Sequence, residues 1–397
     1  MAIILSDAGR WKHLLPLTFT RPVGALRPGI FTMAEAWGSL AQQATGYNTE
    51  AYLATKFPAA SADIVREVDA TLLPLPELVE AVLELRPGEA LTHRGRSLAF
   101  CRAGFEPLEP GAWEKLSTTW RAKGYPGEVI SYERPWYLFQ YCGRAILNDF
   151  AYLTSHRTSA PLHASNTVIG DPSLVFLEAG AVAHAATFNT TNGPVWIGAG
   201  AEVMEGALLR GPIALGQHAQ IKMGAKIYGP SAFGPACRVG GEVNNSVMLG
   251  YSNKGHDGFL GNSVLGEWCN LGADTNNSNL KNTYGRVKVW SYAEENMVNT
   301  GLQFCGLIMG DHSRSGINTM FNTGTVVGVS ANIFGADFPP KRIPSFAWGG
   351  ASGFDLYDLE RAMETAHQVM ERRGVALTPV DEEILKVVFH RDNAEES

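Results

Sequence analysis

The chain has 397 residues, 45% of them hydrophobic, and a formal net charge of −7. That length leaves room for two domains, and the acidic balance argues against general nucleic-acid binding while still allowing a local basic pocket for one phosphorylated ligand. No apolar run reaches transmembrane length, the opening MAIILSDAGRWKH lacks the apolar stretch and cleavage site of a signal peptide, and five cysteines without CxxC spacing fit a reducing cytoplasm better than a disulfide framework.

Residues 1–160 read as a short mixed α/β domain. Ala2-Ile3-Ile4-Leu5 is a buried-strand candidate, and Asp7-Ala8-Gly9-Arg10 follows at once. Residues 14–23 form an ordered loop by their Pro and Thr content. Thr32 is placed to cap a helix over 33–44, with Ala34, Trp37 and Leu40 at helical spacing. Further strands are expected at 51–53, 63–73 and 97–101, a helix with Pro near its start at 76–83, and a joining helix over 136–153. Strand, Gly9, Arg10, Lys12 and then Leu-Pro resemble the opening of the sugar-1-phosphate nucleotidyltransferases. There, a Gly-rich turn with Arg cradles a nucleoside triphosphate, as backbone N–H groups at such turns do. Here one Gly replaces several, and Leu17 follows Pro16 where that family has Lys. If phosphates bind, Arg10, Lys12, Arg21 and Arg27 are the donors to test; the plain alternative is that all four are structural or surface cations. No acidic strand end stands out to hold Mg²⁺, although Mg²⁺ remains the expected ion for nucleotidyl transfer by this half.

From about Asn166 the chain advances in steps of six, a small aliphatic residue followed by Gly or a polar residue. Ile169-Gly170, Ile197-Gly198, Val203, Leu209, Leu215-Gly216, Ile221, Ile227, Phe233-Gly234 and Val239-Gly240 keep this phase. It returns at Leu265-Gly266, Leu271-Gly272, Met309-Gly310, Ser315, Phe321, Val327-Gly328 and Ile333. Such a period suits a left-handed parallel β-helix over 161–338, in which triangular coils stack to bury one continuous core. The pattern resembles the bacterial hexapeptide-repeat transferases, whose members imply a trimer with active sites between neighbouring subunits. A Gly-rich β-sandwich would share the composition but not the sustained phase.

The stretch 242–290 interrupts the repeat and concentrates polar side chains. Turn-formers such as Asn, Gly, Ser and Asp are also what a plain long loop would contain. Lys254-Gly255-His256, Leu260-Gly261 and Asn270-Leu271-Gly272-Ala273-Asp274-Thr275, followed by Asn279, resemble the acetyltransferase half of the bifunctional bacterial enzyme that makes UDP-N-acetylglucosamine from glucosamine 1-phosphate. The likeness is strong over about 40 residues and implies His256 as catalytic base, with Asn270 and Asn279 near the sugar amine and Ala273 beside the acetyl-coenzyme A thioester. A sugar ammonium must lose a proton before its nitrogen attacks a thioester, and an imidazole takes that proton at neutral pH. Phe259 stands where that family has Tyr, Lys226 where it has Arg and Asn244 where it has Lys; Lys222, Lys254 and Lys281 are candidate replacements for the sugar-phosphate cations.

After Phe334 the repeat ends. Residues 339–397 read as a Pro-rich stop, a cap at 345–350, an amphipathic helix over 358–373, a second from Thr378 to Val388, and a frayed end from 392. The combined expectation is a cytoplasmic transferase of amino-sugar nucleotide biosynthesis for the cell envelope. It takes acetyl-coenzyme A, an amino-sugar phosphate and a nucleoside triphosphate. Alternatives are a nucleotidyltransferase whose β-helix only builds the oligomer, and a non-catalytic sugar-nucleotide-binding scaffold. A zinc hydrolase of this fold would need three converging histidines, and His184, His218, His256 and His312 form no local ligand pair.

Overall fold

The computed structural model describes residues 1–106, 113–115 and 119–393. By contact the chain divides into two compact units: Met1–Leu14, Thr20–Arg27 and Phe31–Arg134 make the first, and Leu15–Phe19, Pro28–Ile30 and the chain from Pro135 onward make the second.

The first unit is an α/β sheet of strands β1 (Ala2–Ser6), β2 (Ala44–Asn48), β3 (Ile64–Asp69), β4 (Glu89–His93), β5 (Arg96–Ala103) and β6 (Arg121–Gly124), in the order β2-β1-β3-β5-β4-β6. Ile3, Ile4 and Leu5 are fully buried, as a strand covered on both faces requires. β1 pairs in parallel with β2 on one side and β3 on the other. The strand order therefore reverses across β1, and its carboxyl end opens the crevice where open α/β sheets bind ligands. Helix α1 (Met33–Ala41) starts as expected: Thr32 and Glu35 exchange both capping bonds. It stops at Gln42, whose φ of 51° turns the chain into the left-handed region. The strand expected at 51–53 is a run of turns instead, closed by Leu53 N to Glu50 O at 2.9 Å. The second strand lies at 44–48, where Gly46 obscures it: Gly is depleted in strands, yet here the backbone runs against Ala59 and Ala60 with no room for a Cβ. Helix α2 (Pro76–Leu83) has Pro at its first turn.

In the second unit, helix α3 (Tyr137–Thr154) buries Leu138, Phe139, Cys142, Ala145, Ile146 and Phe150. Phe150 meets Phe176 and Trp196 edge-on at 6.5 and 6.4 Å, so α3 lies along one face of the solenoid. The solenoid is the expected left-handed parallel β-helix. Its first face runs through strands Thr167–Ile169, Lys226–Tyr228, Glu242–Asn244 and Phe259–Gly261; its second through Val195–Ile197, Val247–Gly250 and Val264–Glu267; its third through Gln220–Ile221, Arg238–Val239, Asn253–Lys254, Asn270–Leu271 and Arg314–Ser315. Leu209, Ile227, Val243 and Leu260 fill the inside of the first face; Ile197, Leu215, Phe233, Met248, Leu265 and Met309 fill that of the second. One expected inward residue differs: Ile169 is 48% exposed, and its neighbour Val168 packs on the core instead. The hairpin Lys288–Ser291 with Asn296–Asn299 is an insertion in the coil.

The solenoid ends in a hairpin, Ala347–Gly350 with Gly353–Leu356, that extends the third face. Helices α4 (Leu359–Glu371) and α5 (Pro379–Asp392) follow. Phe346 is fully buried and packs on Phe389 at 5.0 Å. Asp392, where fraying was expected to begin, is anchored: its Oδ2 accepts from Ser345 N at 2.9 Å. Residues 394–397 of that expected frayed end lie outside the described residues. All five cysteines are free and buried, and among the described residues no helix is long and apolar enough to cross a membrane.

Candidate functional site

The third face ends at Lys254 and the first resumes at Phe259, so Gly255-His256-Asp257-Gly258 form the corner between them. His256 is exposed, and among the described residues its imidazole has no hydrogen-bond partner. The coil beneath passes with Gly240-Gly241. A Cβ on Gly241 (φ +67°) would meet His256 O and Gly258 O, each at 2.8 Å, so only glycine fits this close approach. The coil above passes with Ala273-Asp274, where Asp274 N donates to Asp257 O at 3.1 Å. Ala273 thus stacks above His256, and both belong to one edge of the prism.

What fixes this corner is Lys254. Its position on the third face is the inward one, filled by Ile221 and Val239 below and Leu271 above. Lys254 is 1% exposed. Its Nζ donates to Gly240 O at 3.2 Å, His256 O at 2.5 Å and Asp257 O at 3.2 Å. In other coils the second corner residue offers its carbonyl to the coil above, as Ala185 does to Gly206, Glu205 to Gly224 and Ala273 to Asn318. At His256 that carbonyl is turned to the ammonium instead, and the ladder bond passes to Asp257. Burial pulls the Lys254 ammonium down to about 8, with Asp257 and Asp274 opposing the shift. Lys254 was expected among the sugar-phosphate cations. All three of its donors are committed inside the coil, so it holds the corner rather than reaching a ligand.

The other expected residues fall on different surfaces. Asn270 sits outward on the third face, where its Oδ1 accepts from Asn253 Nδ2 at 2.8 Å. Phe259, Asn244 and Asn279 gather on the first face. Asn279 Nδ2 donates to Asn262 Oδ1 at 2.8 Å, and a Cβ on Gly261 would meet Phe259 Cζ at 2.5 Å and Asn279 Nδ2 at 2.7 Å. The Phe259 ring therefore lies over Gly261 and spans the distance from the His256 corner towards Asn279. Lys226 is exposed on the same face, two rungs below Phe259 in register. Lys281 Nζ is held by Arg286 O at 2.6 Å in the insertion. Asn276 and Asn277 replace ladder bonds with side-chain ones, their Oδ1 atoms accepting from Phe259 N and Gly261 N, each at 2.8 Å. His184 packs against His163, His218 contacts Gln217, and His312 stacks on Trp268.

The first unit holds a second group that the sequence reading passed over. Asp7 follows β1 directly and is buried; its Oδ1 accepts from Val23 N at 2.8 Å and its Oδ2 from Thr49 Oγ1 at 2.5 Å. Asp69 ends β3, with Arg96 Nη2 at 2.5 Å and Thr71 Oγ1 at 2.6 Å; Arg96 also pairs with Glu133. Burial, with Glu50 and Asp69 as added like charges, raises the Asp7 carboxyl from 3.8 to about 7. Arg10 is half-buried and Lys12 exposed just past the Asp7–Gly9 turn, neither in an ion pair among the described residues. Arg21 is buried. Arg27 is taken by Glu35 at 3.0 Å. Among the described residues no three His, Cys, Asp or Glu side chains cluster to hold a metal alone. Mg²⁺ commonly needs only one or two carboxylates when phosphates complete its shell, and Asp7, whose charge burial disfavours, gains from a cation beside it.

Asp7 also gives a pH prediction. Between about pH 4 and 7 the folded state holds a proton here that the unfolded chain has lost, so the stability Asp7 contributes is present in acid and is lost as pH rises through 7. Asp7→Asn is expected to raise unfolding stability above pH 7 by about 2–4 kcal/mol, read by denaturant titration. Equal stability of the two proteins at pH 8 contradicts this.

Residues 3–158 match the family model described as sugar nucleotidyl transferase. The match spans the first unit and α3 and does not extend into the β-helix. No curated protein sequence matches the chain. Among solved structures, the chain is similar to an Arabidopsis UDP-N-acetylglucosamine acyltransferase at 13% identity, over 55% of this chain and 78% of that one, with a TM-score of 0.27. A polysialic acid O-acetyltransferase shares 12% identity, covering 51% and 89%, at a TM-score of 0.18. A further UDP-N-acetylglucosamine acyltransferase shares 12%, covering 58% and 94%, at 0.21. At such TM-scores these likenesses support nothing further, and the β-helix rests on the chain's own strand pairing.

Proposed function

We propose that this chain is a two-centre transferase of amino-sugar nucleotide biosynthesis, working in the cytoplasm as a homotrimer. At the β-helix corner, the amine of an amino-sugar 1-phosphate such as glucosamine 1-phosphate attacks the thioester carbon of acetyl-coenzyme A. His256 takes the ammonium proton, the C–N bond forms and the C–S bond breaks, and the second proton shed by the nitrogen passes to the departing sulfur, releasing coenzyme A as thiol. Asn270 offers an amide N–H to the oxyanion, Ala273 leaves room for the acetyl group, and Phe259, Asn279, Asn244 and Lys226 line the sugar side. The observation that carries this reading is a single exposed imidazole on a corner whose backbone is fixed from inside. Met223 and Ile317, 70% and 71% exposed in the coils on either side of this edge, and Met320 on the first face supply apolar surface for a neighbouring subunit.

In the first unit a sugar 1-phosphate oxygen attacks the α-phosphorus of a nucleoside triphosphate and pyrophosphate leaves. Arg10, Lys12 and Arg21 bind phosphates at the end of β1, and Asp7 would hold Mg²⁺, which would supply charge neutralisation on the phosphates. The family match over residues 3–158 favours this half strongly enough to keep a second reading, in which the β-helix serves only assembly. Two assays on the full chain separate them: thiol release from acetyl-coenzyme A with a panel of amino-sugar phosphates, and pyrophosphate release from UTP or dTTP with the same sugars. Both products support two centres, pyrophosphate alone supports the second reading, and neither product with intact ligand binding leaves a scaffold.

A further inference from the structure

Several cations in this chain have a carboxylate beside them. Arg27 has Glu35 at 3.0 Å, Arg102 has Glu67 at 2.7 Å, Lys123 has Glu89 at 2.7 Å and Arg157 has Glu178 at 2.6 Å. One group does not. Arg238 points outward from the third face, directly in register with Gln220. Lys222, two residues past Gln220, donates to Gln220 Oε1 at 2.8 Å. Arg373, just beyond the end of α4, reaches back to the same coil, with Nη1 3.4 Å from Ala236 O. All three are half-buried, and among the described residues none forms an ion pair.

Burial first, and their mutual repulsion second, work against the charged forms of Lys222 and Arg373. Lys222 is pulled below its ordinary value by burial and then by Arg238, with Arg373 adding to it; Arg373 is lowered by burial and then by Arg238. Glu202 is the one carboxylate that opposes this, and it is engaged by Gln220 Nε2 at 3.0 Å. The carboxyl end of α4 favours a cation at Arg373, but it explains neither Arg238 nor Lys222. In a chain of net charge −7, three half-buried cations facing one carboxylate, Glu202, keep a net positive charge and are the preformed half of an anion site.

We propose that Lys222, Arg238 and Arg373 form a phosphate-binding site on the third face, for the terminal phosphate or diphosphate of a small ligand. Two guanidinium forks and one ammonium match a phosphate oxygen set, each Arg offering paired donors and the Lys a point charge. The site lies in the second unit and stands whether or not the acetyl-transfer reading does.

The test uses the full chain carrying Arg10→Gln and Lys12→Gln, which removes two of the three candidate phosphate donors of the first unit and leaves buried Arg21 in place. Isothermal titration with sodium phosphate, against sodium chloride at equal ionic strength, is expected to show one saturable site. Arg238→Gln or Arg373→Gln weakens it by about tenfold or more. Arg238→Gln leaves the melting temperature in chloride unchanged or raises it, because one repelling charge is gone. Arg210→Gln, which removes an exposed cation from the first face, leaves binding intact. Pyrophosphate binding more tightly than phosphate identifies a diphosphate-bearing ligand and the reverse a phosphate monoester, both within the proposal. Absence of saturable phosphate binding, binding that survives both substitutions, or an equal loss in Arg210→Gln overturns it.

Discussion

His256→Ala is expected to lower thiol release by about 10²–10⁴-fold, the usual contribution of a positioned general base, and to leave pyrophosphate release at the wild-type level. The folded state should barely notice: the side chain is exposed, and its imidazole bonds to nothing among the described residues, so the melting temperature stays within the small range of surface substitutions. The backbone at this corner is another matter. It is fixed by Lys254 from inside the coil and by Asp274 N above, neither of which depends on the residue-256 side chain. A clean separation is therefore expected, with acyl transfer lost and stability and nucleotidyl transfer kept. His256→Gln, which keeps polarity but not basicity, should behave like Ala. A variant that loses both activities and its fold together contradicts this assignment.

Lys254→Met should lose acetyl transfer by about 10–100-fold, the scale on which small misplacement of a reacting group is felt, while unfolding stability at neutral pH changes by no more than about 2 kcal/mol. The near-cancellation follows from magnitudes. Two carbonyls, those of Gly240 and His256, lose their donor, while Asp257 O keeps Asp274 N, at about 1–3 kcal/mol for each that water does not recover. Against this, a charge whose burial lowers its pKa from 10.5 to about 8 is removed, a relief of the order of 3 kcal/mol at neutral pH. The cost of holding the charge is present below pH 8 and disappears as pH rises from 8 to 10.5, where the folded state sheds the proton first. Wild-type stability, measured relative to Lys254→Met, should therefore rise across that window. Taking the difference matters, since buried Tyr292 and Cys305, both raised, push the other way in the same range. A purely structural lysine would move stability and activity together; a positioning one moves activity first.

The solenoid was legible because each coil repeats one demand, an aliphatic side chain inward every six residues. The same rule explains where reading failed. Lys254 occupies an inward slot, but a cation there looks like an active-site cation when only the sequence is known. Its role depends on three carbonyls from two coils converging on it, a three-dimensional fact. Phe259 and Asn279, 20 positions apart in the chain, meet over Gly261 only once the coils stack. In the first unit, Asp7 stood in plain view after a buried strand, yet its meaning required β2 and β3 to be placed on either side of β1. Gly46 hid β2, because a residue chosen for close approach to Ala59 and Ala60 carries no strand signal. Arg373 joins Arg238 only through the fold of the C-terminal helices, which the sequence presents as an amphipathic cap.

Mass spectrometry of the sugar product formed by the full chain from acetyl-coenzyme A and amino-sugar 1-phosphates, with no nucleoside triphosphate present, bears most directly on the β-helix corner. An N-acetylated sugar phosphate formed together with free thiol, and missing from the His256→Gln reaction, is the expected result. An unmodified sugar from every amino-sugar phosphate tried, by a protein that still releases pyrophosphate when given a nucleoside triphosphate, contradicts it and leaves the stacked coils with an assembly role alone.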